Sequence, residues 1–204
     1  MTGDKNWWVI KGNGLINKIV LGLWVLLISI VITLMHSWHL ISFELPSFAK
    51  SPSKHQAFDD REMNQWYVYH ILGEGCSCST LIMNFLTSRK ELDGVNEKIL
   101  WVGKQDTWKK KAENNGFAFE LVNYKEKSEL AGLPAMLIFD GAKQKYTGGY
   151  ANRFISTTAH IQADEIIKKT MSRNNLASLP IRGCALSKRL QDYIDPLNIK
   201  YGSP

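Results

Sequence analysis

Three cysteines carry the chemistry that this sequence offers most directly. Cys76 and Cys78 form a C-x-C pair between a β-rich stretch and a stretch with helical spacing, so the pair lies at a predicted helix N-terminus. Unpaired backbone N–H groups and the helix dipole stabilise a thiolate at that place and lower the pKa of the thiol. Because thiolates attack disulfides and bind soft metals, the pair predicts redox or metal chemistry. The neighbouring Gly75 and two serines favour an exposed turn over two buried cysteines that act as small apolar residues.

Cys184 leaves the number of cysteines odd, so the chain cannot pair all of them internally. It follows Arg182-Gly183 and is predicted to open the last helix, which again favours a thiolate. One hypothesis is that the C-terminal segment folds back and Cys184 resolves a mixed disulfide on Cys76 or Cys78. Alternatively, Cys184 is incidental, or all three thiolates bind Cu(I) or Zn(II), with His70 as a further ligand. The spacing does not select among these.

The elements that position the cysteines alternate between strand and helix patterns. A strand, a helix, a second strand, a second helix and a third strand are followed by a hairpin and a helix. This order predicts an α/β fold, a mixed β-sheet flanked by helices on both faces. The predicted strands are Trp66–Leu72, Lys98–Val102, Phe119–Val122, Ala135–Phe139 and Gln144–Tyr146, and the predicted helices are Ser79–Arg89, Asp106–Asn115, Ala163–Ser172 and Leu186–Ile194.

Two segments resemble the thioredoxin superfamily, and the likeness extends over residues 66–172. YVYHILGEGCSCST (Tyr67–Thr80) resembles the strand, loop and active-site turn of that family, and GLPAMLIFDG (Gly132–Gly141) resembles its cis-proline segment. The resemblance implies a thioredoxin-like fold with Cys76 as the nucleophile. It also implies that Pro134 is a cis-proline facing Cys76, and that Leu133 offers its backbone to a substrate strand. A fainter likeness points to membrane-anchored bacterial thioredoxin-like proteins of unassigned function.

The sequence departs from the family pattern at the second cysteine. The pattern is C-x-x-C, whereas here Ser79 holds the second position and Cys78 lies one residue early. A disulfide between Cys76 and Cys78 would close a small, strained and easily reduced ring. The departure therefore leaves open which cysteine, if any, resolves a mixed disulfide.

An uncharged stretch near the N-terminus predicts a transmembrane anchor over residues 19–41. IVLGLWVLLISIVITLM (Ile19–Met35) contains no charged residue and spans about 26 Å as a helix. Lysines precede it and Glu44 follows it, which predicts a cytoplasmic N-terminal segment (1–18) and a periplasmic C-terminal domain on the bacterial inner membrane. The alternative is a cleaved signal peptide with a site near Ser47–Ala49.

The remaining chain divides into a predicted tether (42–65), the thioredoxin-like domain (66–172) and a C-terminal extension (173–204) that carries Cys184. The composition, 45% hydrophobic and 22% charged, is typical of a globular protein. The net charge of +6 does not predict nucleic-acid binding, because the lysines are scattered. The densest run, Lys109–Lys111, is predicted to lie on a solvated helix face.

Three functions follow as hypotheses. The first is thiol–disulfide exchange at the membrane, with Cys76, Cys78, Cys184 and Pro134 as site residues and with lipid and a protein substrate or redox partner as partners. The second is delivery of copper by the same fold. The third is a non-catalytic docking subunit of a membrane complex.

Overall fold

The computed structural model describes residues 14–40, 42–43, 62–122, 132–172, 176–186, 188–195 and 201. Its helices are α1 (Gly14–Leu40), α2 (Ser77–Leu86), α3 (Lys109–Glu113), α4 (Ala163–Ser172) and α5 (Lys188–Ile194). Its strands are β1 (Ser42–Phe43), β2 (Trp66–Gly73), β3 (Val95–Val102), β4 (Ala118–Val122), β5 (Gly132–Leu133), β6 (Ala135–Asp140), β7 (Lys143–Gly148), β8 (Ile181–Arg182) and β9 (Cys184–Ala185).

The described residues contain a five-stranded mixed sheet in the order β4-β3-β2-β6-β7. Strands β2, β3 and β4 run parallel, because a helix connects each to the next, whereas β6 and β7 are antiparallel to their neighbours. Strand β2 is central, and α2 follows it directly. The Leu133–Pro134 peptide bond is cis, as the resemblance implied. This topology, with the cis-proline before β6, confirms the predicted thioredoxin-like fold.

Alternating side chains of the central strands build one apolar core on each face of the sheet. On the first face, Val68, Ile99 and Ile138 pack with residues of α2, α3 and α4. On the second face, Ile71, Leu100 and Leu137 pack with a different set of covering residues. That set comes from β1 and the C-terminal segment: Phe43, Ile181, Ala185, Leu186 and Ile194.

The C-terminal segment therefore forms part of the second core of this domain. Strand β8 pairs antiparallel with β1, and β9 pairs antiparallel with β5. Cys184 lies in β9, so the prediction that it opens the last helix is wrong; that helix begins at Lys188. The reason is non-local, because β9 forms against the backbone of Leu133, which a local pattern does not reveal.

Several predicted boundaries also shift. Helix α2 begins at Ser77 and ends at Leu86, so it starts and ends earlier than predicted, and α3 is reduced to Lys109–Glu113. Helix α4 has the predicted bounds. Strand β3 begins at Val95, ahead of the prediction, because it pairs with β2 along its whole length. Most of the predicted tether lies outside the described residues.

Helix α1 has 27 residues, and its stretch Ile16–Leu34, with a mean hydropathy of 2.2, is long and apolar enough to cross a membrane. The side chains of this stretch are not buried. Its two hydroxyl groups bond to the backbone one turn earlier, Ser29 Oγ to Val25 O and Thr33 Oγ1 to Ser29 O, each at 2.8 Å. Because of these bonds, both hydroxyls are hydrogen-bonded within the helix, as an apolar medium requires. The chain divides into two compact units after Trp38.

Candidate functional site

Cys76 is the N-cap residue of α2, directly after the turn that leaves the central strand. The turn includes Gly75, whose φ of +71° favours glycine. It is held to the sheet by the Glu74 N–H, which donates to Val102 O at 2.9 Å. The Cys76 backbone is extended (φ −105°, ψ 110°), and its side chain makes no capping hydrogen bond. The thiol is therefore placed beside the first turn of a ten-residue helix.

Both cysteines of the pair are buried, which corrects the prediction of an exposed turn. Cys76 is 2% exposed and Cys78 is 3% exposed. In contrast, Gly75, which precedes the pair, and Ser77, which lies between the two cysteines, face solvent. The helix starts at Ser77, so the periodicity of its first turn directs Cys78 inward. The Cys78 thiol donates to Ile155 O at 3.9 Å.

The cis-proline segment and the C-terminal strand meet at Cys76. The Cys76 thiol lies 4.0 Å from Leu133 O, directly before Pro134. Cys184 lies opposite Leu133 in the β5–β9 pair, and its side chain is half-buried. The thiols of Cys184 and Cys78 both lie within hydrogen-bonding reach of Cys76. The structure thus brings together all four predicted site residues, and none of these three cysteines is in a disulfide here.

The surroundings of Cys76 strongly favour its thiolate. Hydrogen bonds from Cys184 and then Cys78 contribute most, and burial opposes them by disfavouring the charge. The side chain and backbone N–H of Ser79 add smaller contributions in the same direction. Together they lower the pKa of Cys76 from 9.0 to about 3. A thiolate at neutral pH is the nucleophilic form of cysteine.

Ser79 occupies the position where the family pattern has its second cysteine. It is fully buried, and its hydroxyl is without a hydrogen-bond partner among the described residues. The Cys76 sulfur is the group it stabilises, once that sulfur is ionised. Serine at this position therefore supports the thiolate as a donor and cannot itself form a disulfide.

A buried charged network, which the sequence analysis did not predict, lies on the same face of the sheet. Glu97 on β3 is 1% exposed and accepts hydrogen bonds from Arg89 Nη1 and Nη2 at 2.9 and 2.7 Å. His70 Nε2 lies 2.9 Å from Glu97 Oε2, and His70 Nδ1 lies 3.0 Å from Tyr150 Oη. Burial raises the pKa of Glu97, but the bonds from His70 and Arg89 outweigh it and lower that pKa to about 2. The sequence carries no clear signal for Glu97, because it lies one residue before the predicted strand Lys98–Val102, whereas the observed strand begins at Val95.

The same network corrects the suggestion that His70 is a metal ligand. Both of its ring nitrogens have protein partners at hydrogen-bond distance, and its side chain is completely buried. Among the residues that the structure describes, no group of three or more His, Cys, Asp or Glu side chains is arranged to hold a metal ion.

No family model and no curated protein matches this sequence. Solved structures do resemble it. An uncharacterized conserved protein from Geobacillus kaustophilus has 17% identity and a TM-score of 0.49, with 63% of this chain and 80% of that chain covered. The thioredoxin domain of a thiol-disulfide oxidoreductase from Bacteroides vulgatus has 13% identity and a TM-score of 0.34, with 53% and 79% covered. A secreted disulfide oxidoreductase from Mycobacterium tuberculosis has 11% identity and a TM-score of 0.34, with 54% and 84% covered. The fold assignment rests on the strand order and the cis-proline described above.

Proposed function

We propose that this chain is a membrane-anchored thiol–disulfide exchange protein, with Cys76 as its nucleophile. The observation that carries the proposal is the convergence of three thiols at one helix N-terminus, beside a cis-proline. Three cysteines that served only as small core residues would not need to meet around one sulfur. The low pKa of Cys76 agrees with this role, because it supplies the attacking thiolate at neutral pH.

The exchange proceeds in two steps. The Cys76 thiolate attacks one sulfur of a substrate disulfide, a new S–S bond forms between Cys76 and that sulfur, and the other substrate sulfur leaves as a thiolate. A second cysteine of the chain then attacks the Cys76 sulfur and releases the remaining substrate sulfur as a thiolate. The substrate disulfide gains two electrons and the protein dithiol loses two. Run in reverse, the same steps oxidise a substrate dithiol.

We assign the second step to Cys184. Cys184 lies opposite Leu133 in the β5–β9 pair, and the Cys76 thiol lies 4.0 Å from Leu133 O, so the strand pairing places Cys184 beside the sulfur that it must attack. It is also half-buried, whereas Cys78 is 3% exposed. A disulfide from Cys76 to Cys184 avoids the small ring that a disulfide to Cys78 would close.

We further propose that α1 anchors the protein in the inner membrane, with the N-terminus in the cytoplasm and the thiol site in the periplasm. The length and hydropathy of Ile16–Leu34 and the internally bonded hydroxyls of Ser29 and Thr33 support the anchor. The lysines that precede the helix support the orientation. A periplasmic site fits the chemistry, because disulfides persist in that compartment.

Single serine substitutions test the proposed chemistry. The reduced full chain, in detergent, is mixed with a small peptide disulfide, and the products are identified by mass. Cys76→Ser should abolish exchange, whereas Cys184→Ser should stop at a peptide attached to Cys76. Ser77→Ala serves as a control, because Ser77 is exposed between the two cysteines. This variant should exchange at the wild-type rate. If the wild type and both cysteine variants leave the peptide disulfide intact, the exchange function is refuted, and a docking role becomes the better account.

A further inference from the structure

The C-terminal segment lies where the resemblance places a substrate. We call residues 181–185 the strap. Strand β9 of the strap pairs antiparallel with β5, so that Cys184 lies opposite Leu133 and Ala185 opposite Gly132. Leu133 directly precedes the cis-proline, and its backbone is the edge that an extended substrate would bind. In this structure that edge is already paired with the chain's own strand.

Gly183 shows how closely the strap fits this edge. A Cβ atom at position 183 would lie 2.0 Å from Leu133 O and 2.9 Å from Pro134 Cδ. Both of these atoms belong to the cis-proline segment, and the nearer is a backbone atom that cannot rotate away. Only glycine therefore permits the backbone of the strap to approach the backbone of Leu133 as it does here.

Further contacts hold the strap at both ends. At the start, β8 pairs with β1, Ile181 opposite Phe43 and Arg182 opposite Ser42. At the end, the Ala185 N–H donates to Tyr201 Oη at 2.9 Å, and Gln191 Nε2 donates to Ala185 O at 3.0 Å. The strap is thus a built element of the fold, attached on both sides of Cys184.

The occupied edge has a consequence for access to the nucleophile. Cys76 is 2% exposed, and Cys184 of the strap contacts it. With the strap in place, Cys76 can exchange with Cys184, but a disulfide of another molecule cannot reach its sulfur. The chemistry proposed above therefore requires the strap to leave.

We propose that the strap occupies a peptide-binding groove of its own chain. An extended polypeptide that contains a cysteine binds against Leu133 only after the strap has left. This proposal rests on the proposed exchange function. The strap itself indicates the ligand that the groove accepts, an extended strand with glycine directly before cysteine. Such a polypeptide, bound through its disulfide, forms a mixed disulfide with Cys76 and releases its other sulfur as a thiolate. When the strap returns, the Cys184 thiolate attacks the Cys76 sulfur, and the substrate leaves as a thiolate. The return of the strap thereby couples resolution to release.

Gly183→Ala tests the proposal, because the added methyl group displaces the strap without touching a cysteine. Two rates are measured on the reduced full chain in detergent. The first is alkylation of Cys76 by a maleimide, followed by mass mapping. The second is exchange with the peptide Arg-Gly-Cys-Ala, whose cysteine is carried as a disulfide with thiopyridine. Both rates should rise roughly tenfold or more, which corresponds to about 1.4 kcal/mol on the opening equilibrium. In the wild type, the exchange rate should reach a plateau with rising peptide concentration, because opening limits it.

Two further variants keep the test informative. Tyr201→Phe removes the acceptor of the Ala185 N–H and should also raise both rates, by a smaller factor than Gly183→Ala does. It keeps the proposal testable if Gly183→Ala does not fold. Ile167→Val removes one methyl group from the buried part of α4 without altering a residue of the strap or a cysteine, and it should leave both rates unchanged. Equal alkylation of Cys76 in the wild type and in the two strap variants would overturn the tethered-strap proposal. Faster alkylation without exchange would refute the exchange function while leaving the strap as a cover over Cys76.

Discussion

Cys184 lies directly opposite Leu133 in an antiparallel strand pair, and this register brings its thiol against Cys76. The pairing joins two parts of the chain that are distant in sequence, the C-terminal segment and the loop before β6. It converts a C-x-C pair that lacks the second cysteine of the C-x-x-C pattern into a site of three thiols.

Replacing Cys184 with alanine should raise the pKa of Cys76. The hydrogen bond from Cys184 contributes most to the lowering, and burial, which opposes it, remains in the variant. In the wild type, the thiolate should persist as the pH falls until it approaches about 3, where protonation occurs. In the variant, protonation should occur at a clearly higher pH. The ultraviolet absorbance of the thiolate, followed during an acid titration, measures both values, and superimposable titrations would contradict the assigned cause.

Replacing Ser79 with alanine should raise the same pKa by a smaller amount. The hydroxyl of Ser79 is buried, and its contribution to the thiolate ranks below those of the two cysteines. Ser77→Ala is the matched control, because Ser77 is exposed in the same turn of α2. The titration described above serves for this pair. A shift for Ser77→Ala as large as that for Ser79→Ala would point to the helix and not to the hydroxyl.

The disulfide between Cys76 and Cys184 should be a strong oxidant. A lowered thiol pKa means that the reduced form is stabilised, and stabilising the reduced form raises the reduction potential. We expect a potential well above about −270 mV, the value typical of a thioredoxin dithiol. Equilibration with glutathione buffers of graded ratio, with quenching and mass analysis, gives the potential. A value at or below that of thioredoxin would mean that the thiolate is not stabilised as the structure indicates.

Glu97→Gln should remove part of the acid sensitivity of folding. The pKa of Glu97 is lowered from 4.5 to about 2, so its carboxylate stabilises the fold above pH 4.5, and this stability is lost as the pH falls toward 2. The lowered pKa corresponds to roughly 3 kcal/mol at neutral pH. Urea unfolding at pH 7 should therefore show a large loss of stability for Glu97→Gln, and a smaller loss at low pH.

Glu165→Gln provides the control for that experiment. Glu165 is an exposed acid on α4 whose partners, His160 and Lys169, are also exposed. Exposed ion pairs contribute little to stability, so this variant should unfold like the wild type at both pH values. If Glu165→Gln loses as much stability as Glu97→Gln, the buried network does not stabilise the fold more than an exposed ion pair does.

The N-terminal helix should keep the intact protein in the membrane fraction. Ile16–Leu34 is long enough to span a bilayer, so alkaline carbonate should not extract the protein, whereas detergent should. The N-terminal sequence of the extracted protein should begin before α1. Release of a shortened chain into the soluble periplasmic fraction would instead identify a cleaved signal peptide.

The central sheet could be predicted from sequence, because its strands carry β-branched and aromatic residues in local runs. Trp66–Leu72 and Ala135–Phe139 were predicted within a residue of β2 and β6. The cis bond before Pro134 followed from a resemblance of motifs. These features depend on nearby residues or on a short pattern, and both are visible in a single sequence.

The arrangement around Cys76 could not be predicted in the same way. The strand at Cys184 depends on Leu133, and the burial of Cys76 depends on contacts that include Cys184. Glu97 lies just before the predicted strand Lys98–Val102, and only the observed strand, which begins at Val95, places it at an inward position. Its partners His70 and Arg89 come from other elements, so only the folded chain reveals that the charge is satisfied.

The measurement that tests the central claim most directly is disulfide mapping of the full chain after mild oxidation and again after mild reduction. The account predicts one reversible disulfide that links Cys76 to Cys184, with Cys78 as a free thiol. Three thiols that stay free under both conditions would contradict the exchange function, and a disulfide confined to Cys76 and Cys78 would contradict the role of Cys184.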